Sequence, residues 1–244
     1  MRRQLEGDDA ARRRRYAGFA PLGLLSFAIA TMITVPAYAA PTSATVPQVG
    51  ALPADGARFG GEVISADAGD TANWVVASRD NHALPFVVID KVNARVLVFD
   101  GTGTLRGAAS ALLGVARGDE SVPGIGQRKL SAITPAERTT PAGRFEASLG
   151  RDFKQDILWV DYNAALSLHR VIAGRPQDRR AERLASVAAD DNRISYGCIN
   201  VPAKFYDDIV KPLFTGTTGI VYILPETKPL RTVFAVPISR TASK

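Results

Sequence analysis

Cysteine and histidine are almost absent from this chain of 244 residues, which holds one cysteine, Cys198, and two histidines, His82 and His169. A lone cysteine cannot close a disulfide within the chain, so the fold cannot depend on that kind of covalent staple. One cysteine and two histidines are also too few ligands for a structural zinc cluster of the Cys/His type. Nucleotide fingerprints are missing as well. Gly101-Thr102-Gly103 and Gly124-Ile125-Gly126 lack the further glycine that a dinucleotide-binding loop requires, there is no P-loop, and both segments read as turns.

Charge of one sign is scarce outside the first fifteen residues. The net charge of +6 includes Arg2, Arg3 and Arg12 to Arg15, offset by Glu6, Asp8 and Asp9; the rest of the chain carries 24 basic and 21 acidic residues, a net of +3. A balance that even gives no phosphate-binding surface, so nucleic acid is not an expected partner. What is present, 46% apolar and 22% charged residues, is the make-up of an ordinary globular domain.

The early arginines precede an apolar stretch, Ala17 to Val35, that leads to Pro36-Ala37-Tyr38-Ala39-Ala40. Positive, then apolar, then small-x-small is the layout of a secretory signal, expected over residues 1–39 with cleavage after Ala39. The alternative is an uncleaved anchor, because the stretch approaches the roughly 20 residues that span a bilayer. Pro21, Gly23 and two threonines make it a poor one. Either way the remainder is expected to work outside the cytoplasm, with membrane contact only through an uncleaved signal. A lone cysteine in an exported protein is a reactive thiol, an intermolecular bridge or a small buried side chain.

Residues 40–83 are rich in Pro, Gly, Ala, Thr and Asp and read as a partly packed spacer, with Trp74-Val75-Val76-Ala77 the one candidate strand. The body is expected over 84–225, followed by a C-terminal extension, 226–244. Phe86 to Asp90 and Arg95 to Phe99 are β-branched and aromatic runs joined by Lys91-Val92-Asn93-Ala94, which predicts a hairpin. Further strands are expected at Ala111 to Val115, Arg144 to Ala147, Ile157 to Tyr162, Ala165 to Val171 and Gly219 to Leu224. Two short helices interrupt them, Asp178 to Ala189 and Lys204 to Lys211. The second pairs Phe205 with Ile209 and Tyr206 with Val210 at four-residue spacing, after Pro202. The expected fold class is mainly β with short helices, a sandwich or barrel.

The chemistry concentrates in Arg193-Ile194-Ser195-Tyr196-Gly197-Cys198-Ile199-Asn200-Val201-Pro202. A glycine before the thiol lets a substrate approach the backbone, and the N–H groups of Gly197 and Cys198 are candidates to hold a carbonyl oxygen under attack by sulfur. A thiol also needs a base, and His169 is the candidate. On a strand, Ala165, Ser167 and His169 share one face and Leu166 and Leu168 the other, so the imidazole lies on the less apolar side.

Together these residues resemble the L,D-transpeptidases, the YkuD-type cysteine enzymes of bacterial cell-wall synthesis. The family signature is a histidine, a spacer, then Ser or Thr followed by His-Gly-Cys, an apolar residue and Arg or Asn. His169 falls on the first histidine, and Ser195, Gly197, Cys198, Ile199 and Asn200 on the rest. The Asp90-Lys91 hairpin, the Gly114 strand and Thr140-Pro141-Ala142-Gly143-Arg144-Phe145 resemble the family's opening strands and its Thr-Pro-x-Gly-x-Phe turn. Two departures stand out: Tyr196 replaces the second histidine, and the spacer, Arg170 to Ile194, is longer than usual. The first resembles a divergent branch with Ser-x-Gly-Cys and leaves the donor open, the first stem residue, L-Ala, or the third.

The resemblance implies a periplasmic enzyme that cross-links peptidoglycan stem peptides, as donor and acceptor, through a Cys198 thioester. His169 is then the general base, and no cofactor or metal is implied. Ser195, Tyr196, Asn200, Thr140 and Arg138 are the expected substrate contacts, with Arg138 to Pro141 equally readable as a plain turn and Asn200 as a support for the Cys198 loop. Asp161 reads as a strand-end acid facing water and His82 as a loop residue. The arginines from Arg175 to Arg183 read either as a solvated helix face or as a lid over acidic stem peptides. Hydrolysis of the same bond by a carboxypeptidase or endopeptidase, and a non-catalytic peptidoglycan-binding module, are the competing functions.

Overall fold

The computed structural model describes residues 56–152 and 155–236. The expected signal over residues 1–39, the start of the spacer and residues 237–244 lie outside the described residues.

The first helix, α1 (Ala66–Ser78), stands where the sequence suggested a strand at Trp74 to Ala77. Ser65 caps it, its hydroxyl accepting from the Ala68 N–H at 3.2 Å, and Arg79 closes it in a left-handed conformation at φ 56°. Ala68, Thr71, Ala72 and Val75 are buried at helical spacing. That period begins well before Trp74, and a four-residue window of Trp and Val cannot show it.

The expected hairpin is present as β1 (Phe86–Asp90) and β2 (Arg95–Phe99), paired from Phe86 with Phe99 to Asp90 with Arg95. The Asp90 carboxylate accepts from the Asn93 N–H at 3.1 Å and fixes the turn. Next come β3 (Leu105–Ser110) and β4 (Leu113–Gly114). The long antiparallel pair β5 (Gly143–Asp152) and β6 (Gln155–Asp161) follows, and then β7 (Leu166–Arg170). After the helix α2 (Arg180–Ala185) come β8 (Arg193–Ser195) and β9 (Ile199–Val201). A helical run over 203–214, α3, contains a π-helical turn, Tyr206–Val210, and leads into β10 (Thr218–Ile223).

Eight strands form one sheet in the order β3-β2-β1-β10-β5-β6-β7-β9, while β4 and β8 pair separately in parallel. Leu112, two residues beyond β3, exchanges both backbone hydrogen bonds with Asn200 of β9, at 2.8 and 2.9 Å. That bridge draws the two edge strands together, and the sheet becomes a nearly closed barrel. The domain is mainly β with short helices, as the sequence led us to expect.

Both faces of β1 are buried, Val87 and Ile89 in one core, Phe86 and Val88 in another. The first core holds Tyr206, Val210 and Phe214 of α3 against Val96, Leu158, Leu168 and Ile199. In the second, α1 and the segment from Leu230 to Val236 pack on the other side of the sheet through Ala72, Val75, Phe234 and Val236. Residues on both sides of the expected body, 84–225, therefore contribute to burying it. α2 is shorter than expected because the chain on its two sides forms 3₁₀ turns, Pro176–Asp178 and Ala189–Asn192.

Candidate active site

The β7 and β9 strands run in parallel, with Leu168 beside Ile199 and His169 beside Asn200. Cys198 is the last residue before β9 and so meets the β7 face that carries Ala165, Ser167 and His169, the less apolar face read from the sequence. The Ser167 hydroxyl donates to the Cys198 sulfur at 3.6 Å, and the thiol donates to the Ala165 carbonyl at 3.5 Å. Neutral, the sulfur has an acceptor; ionised, it keeps a donor.

Burial pushes the Cys198 thiol up, but contact with the His169 imidazole and the Ser167 hydroxyl outweighs it, and the thiol ionises more readily than usual. For His169, burial pushes the ring down, and contact with Cys198, helped by the Arg170 carbonyl, outweighs that and raises it. Each member of the pair thus eases ionisation of the other.

The tautomer of His169 follows from its partners. Nδ1 lies 2.7 Å from the Arg170 carbonyl, which can only accept, so Nδ1 carries the proton and the lone pair of the neutral ring is on Nε2. Asn200 faces that nitrogen. The Arg180 guanidinium donates to Asn200 Oδ1 at 3.0 Å, which fixes the amide, and Asn200 Nδ2 donates to the Cys198 carbonyl at 3.1 Å with Nε2 at 3.5 Å. The ring is thus held by its own neighbour's carbonyl on one side and faced by Asn200 on the other.

The Cys198 loop is held from beneath. Thr140, with no exposed surface, donates its hydroxyl to the Gly197 carbonyl at 2.7 Å and accepts from the Gly114 N–H at 3.0 Å. Lys91 Nζ donates to the Thr140 carbonyl at 2.8 Å, and belongs to a buried group in which it also pairs with Asp119 at 2.8 Å while Glu226 pairs with Arg193 at 2.5 Å. Thr140 thus stands inside the molecule as a support for the loop. Ser195 and Asn200 are 4% and 2% exposed, and Asn200, bonded to the Cys198 carbonyl, stands where one of its two sequence readings put it, as a support for the loop.

The Gly197 N–H, expected to hold an oxyanion, donates instead to Ser195 Oγ at 3.0 Å, while that hydroxyl donates to the Cys198 carbonyl at 2.7 Å. The serine closes its own turn and commits that donor. No loop carbonyl or side chain among the described residues accepts from the Cys198 N–H, which leaves it the one uncommitted donor of the two candidates. Gly197 has a stricter purpose: at φ 130° an added Cβ would stand 2.7 Å from the Thr139 carbonyl oxygen.

Of the expected contacts, Tyr196 is exposed, its ring centroid 3.9 Å from the half-buried Arg138 guanidinium. His82 and Asp161 stand apart from the site: His82 lies in the turn after α1, and Asp161 accepts from the N–H of Asn163 at 2.8 Å. Ser167 and Lys91 are not singled out by the sequence as site residues, and Arg180 enters only within the Arg175 to Arg183 run read as a helix face or a lid. Ser167's place on the His169 face was the available signal, whereas nothing in a run of arginines separates Arg180 from its neighbours.

Among the described residues no cluster of three or more His, Cys, Asp and Glu side chains could hold a metal ion, and no helix is long and apolar enough to cross a membrane. No protein-family model matches the chain, and a search of curated proteins finds no match.

Proposed function

We propose that the chain is a cysteine acyltransferase of the cell wall, an L,D-transpeptidase that joins peptidoglycan stem peptides outside the cytoplasm. The observation that carries this reading is the paired Cys198 and His169, a thiol pushed down and an imidazole pushed up by mutual contact, with the lone pair on Nε2. The substrate class rests on the motif around Cys198 and the Thr-Pro-x-Gly turn, together with the signal-like first 39 residues.

In the first half-reaction His169 Nε2 takes the proton from Cys198 Sγ and the sulfur bonds to the donor carbonyl carbon. The Cys198 N–H holds the resulting oxyanion. Collapse breaks the carbon–nitrogen bond, the proton on Nε2 passes to the departing amine, and a thioester remains. The amine of a second stem then attacks the thioester, gives its proton to Nε2, and expels the sulfur, which forms the cross-link and restores the pair. Buried charge near a partly exposed thiol is hard to explain in a passive binding module.

The test is mass spectrometry of the products from disaccharide-tetrapeptide incubated with the protein and with Cys198→Ala. Cross-linked dimers made only by the native protein are expected, and fragmentation reads which stem residue was the donor. Shortened monomers alone mean hydrolysis of the same bond; unchanged substrate contradicts both enzymatic readings.

A further inference from the structure

We infer that Arg180, with the cavity beside it, is a carboxylate subsite that binds the free α-carboxylate of the residue leaving the scissile bond; this rests on the acyl-transfer reading. Three arginines line a cavity of about 390 Å³ formed with Val171, Ala173, Pro176, Ala181 and Glu182, the acid being paired with Arg179, and the arginines are not equivalent. Arg175 and Arg179 are 76% and 68% exposed and pair along the surface with Asp178 and Glu182, whereas Arg180 is 17% exposed.

The Arg180 guanidinium is under-used. Its bond to Asn200 Oδ1 at 3.0 Å is the one hydrogen bond it makes among the described residues. Its Nε, out of solvent, forms an ion pair with Asp178 Oδ2 at 3.6 Å, beyond hydrogen-bond reach, and has no hydrogen-bond acceptor. A planar fork of five donors with most of them idle beside a cavity matches a carboxylate, which can accept two parallel bonds.

Position decides which carboxylate. The departing nitrogen must stand at His169 Nε2 to receive its proton, and the Asn200 amide touches both that ring nitrogen and Arg180. A carboxylate on the carbon bonded to the departing nitrogen is the substrate acid set nearest that nitrogen, on the side where Asn200 leads to Arg180. Both donor positions supply one: a stem cut after its first residue releases a γ-linked D-glutamate with a free α-carboxylate, and a stem cut after its third releases a terminal D-alanine. Arg180 also pushes the His169 ring down, so a carboxylate bound to it relieves that push and strengthens the base when substrate is seated.

The test is titration calorimetry of the full chain bearing Cys198→Ala with disaccharide-tetrapeptide, with the same compound amidated at the D-glutamate α-carboxylate, and with the compound amidated at its C-terminus. One of the two amides is expected to bind about ten- to a hundredfold more weakly, the loss typical of a charge-assisted pair. Adding Arg180→Gln should weaken the acid to the level of that amide, and Arg180→Lys should retain part of the difference. Equal binding of all three compounds, no binding at all, or an acid preference that survives Arg180→Gln overturns the subsite. Thioester formation on native Cys198, read in parallel by intact mass, separates the two claims. Carboxylate-dependent binding without a thioester keeps the subsite and removes acyl transfer, and a thioester whose acid preference ignores Arg180 does the reverse.

Discussion

The Thr140 hydroxyl donates to the Gly197 carbonyl at 2.7 Å across 57 residues of sequence, and the geometry of the Cys198 loop rests on that contact. The same oxygen accepts from the Gly114 N–H, so one buried side chain satisfies a donor on β4 and an acceptor beside the thiol. Thr140→Val keeps the shape and leaves both groups unpaired. It is expected to cost about 2–4 kcal/mol in denaturant unfolding and to slow Cys198 alkylation; a loss under about 0.5 kcal/mol would mean the loop is held by other contacts.

Cys198 alkylation by iodoacetamide should follow a pH profile whose midpoint lies below the usual thiol value of about 8.5. In His169→Ala the partner that pulls the thiol down is gone, so the midpoint moves up, the ionised fraction at pH 7 falls, and the rate there drops at least about tenfold. Ser167→Ala should shift it the same way by a smaller amount, with Ser167→Thr close to native, since the hydroxyl on the sulfur is the second contributor. An unmoved profile in His169→Ala would show that the imidazole does not set the thiol's ionisation.

How much of this was legible varies residue by residue. Short β-branched and aromatic runs such as Phe86 to Asp90 announce a strand, and the hairpin register follows from the short turn between two of them. β3 passed unread because Gly107, Ala108 and Ala109 carry no strand propensity; pairing with β2 holds it. α1 was hidden by Trp74-Val75-Val76, and its cap at Ser65 lay too far upstream for a local window. In the site, Cys198, His169 and the face shared with Ser167 were readable because period and spacing are local properties. The roles of Thr140, Ser195 and Lys91 were not, because each depends on contacts between distant segments.

Gly197→Ala puts a Cβ at φ 130° and 2.7 Å from the Thr139 carbonyl oxygen. The expected cost is about 1–3 kcal/mol from backbone strain, with thiol reactivity lost as the loop moves. Native stability and native alkylation in this variant would contradict the tight approach of the two backbones.

Acid unfolding should report the buried Lys91 group. Burial pushes the Asp119 carboxyl up, yet the Lys91 ammonium, the Thr227 hydroxyl and the backbone N–H groups of Glu226 and Thr227 outweigh it and hold the carboxyl well below the usual range. A depressed carboxylate stabilises fully above its unfolded value, near about pH 4, and that contribution is lost as pH falls toward the folded value. The native protein should therefore lose melting temperature more steeply than Asp119→Asn between pH 4 and pH 2. Parallel curves would place the acid sensitivity elsewhere.

The central claim is that Cys198, activated by His169, takes up an acyl group. The full chain incubated with disaccharide-tetrapeptide, quenched in acid and weighed intact should gain the mass of the donor's acyl portion, mapped to Cys198, released by hydroxylamine, absent in Cys198→Ala and greatly reduced in His169→Ala. An unmodified Cys198 after exposure to a substrate that binds the protein, or an adduct that forms equally well without His169, would contradict it.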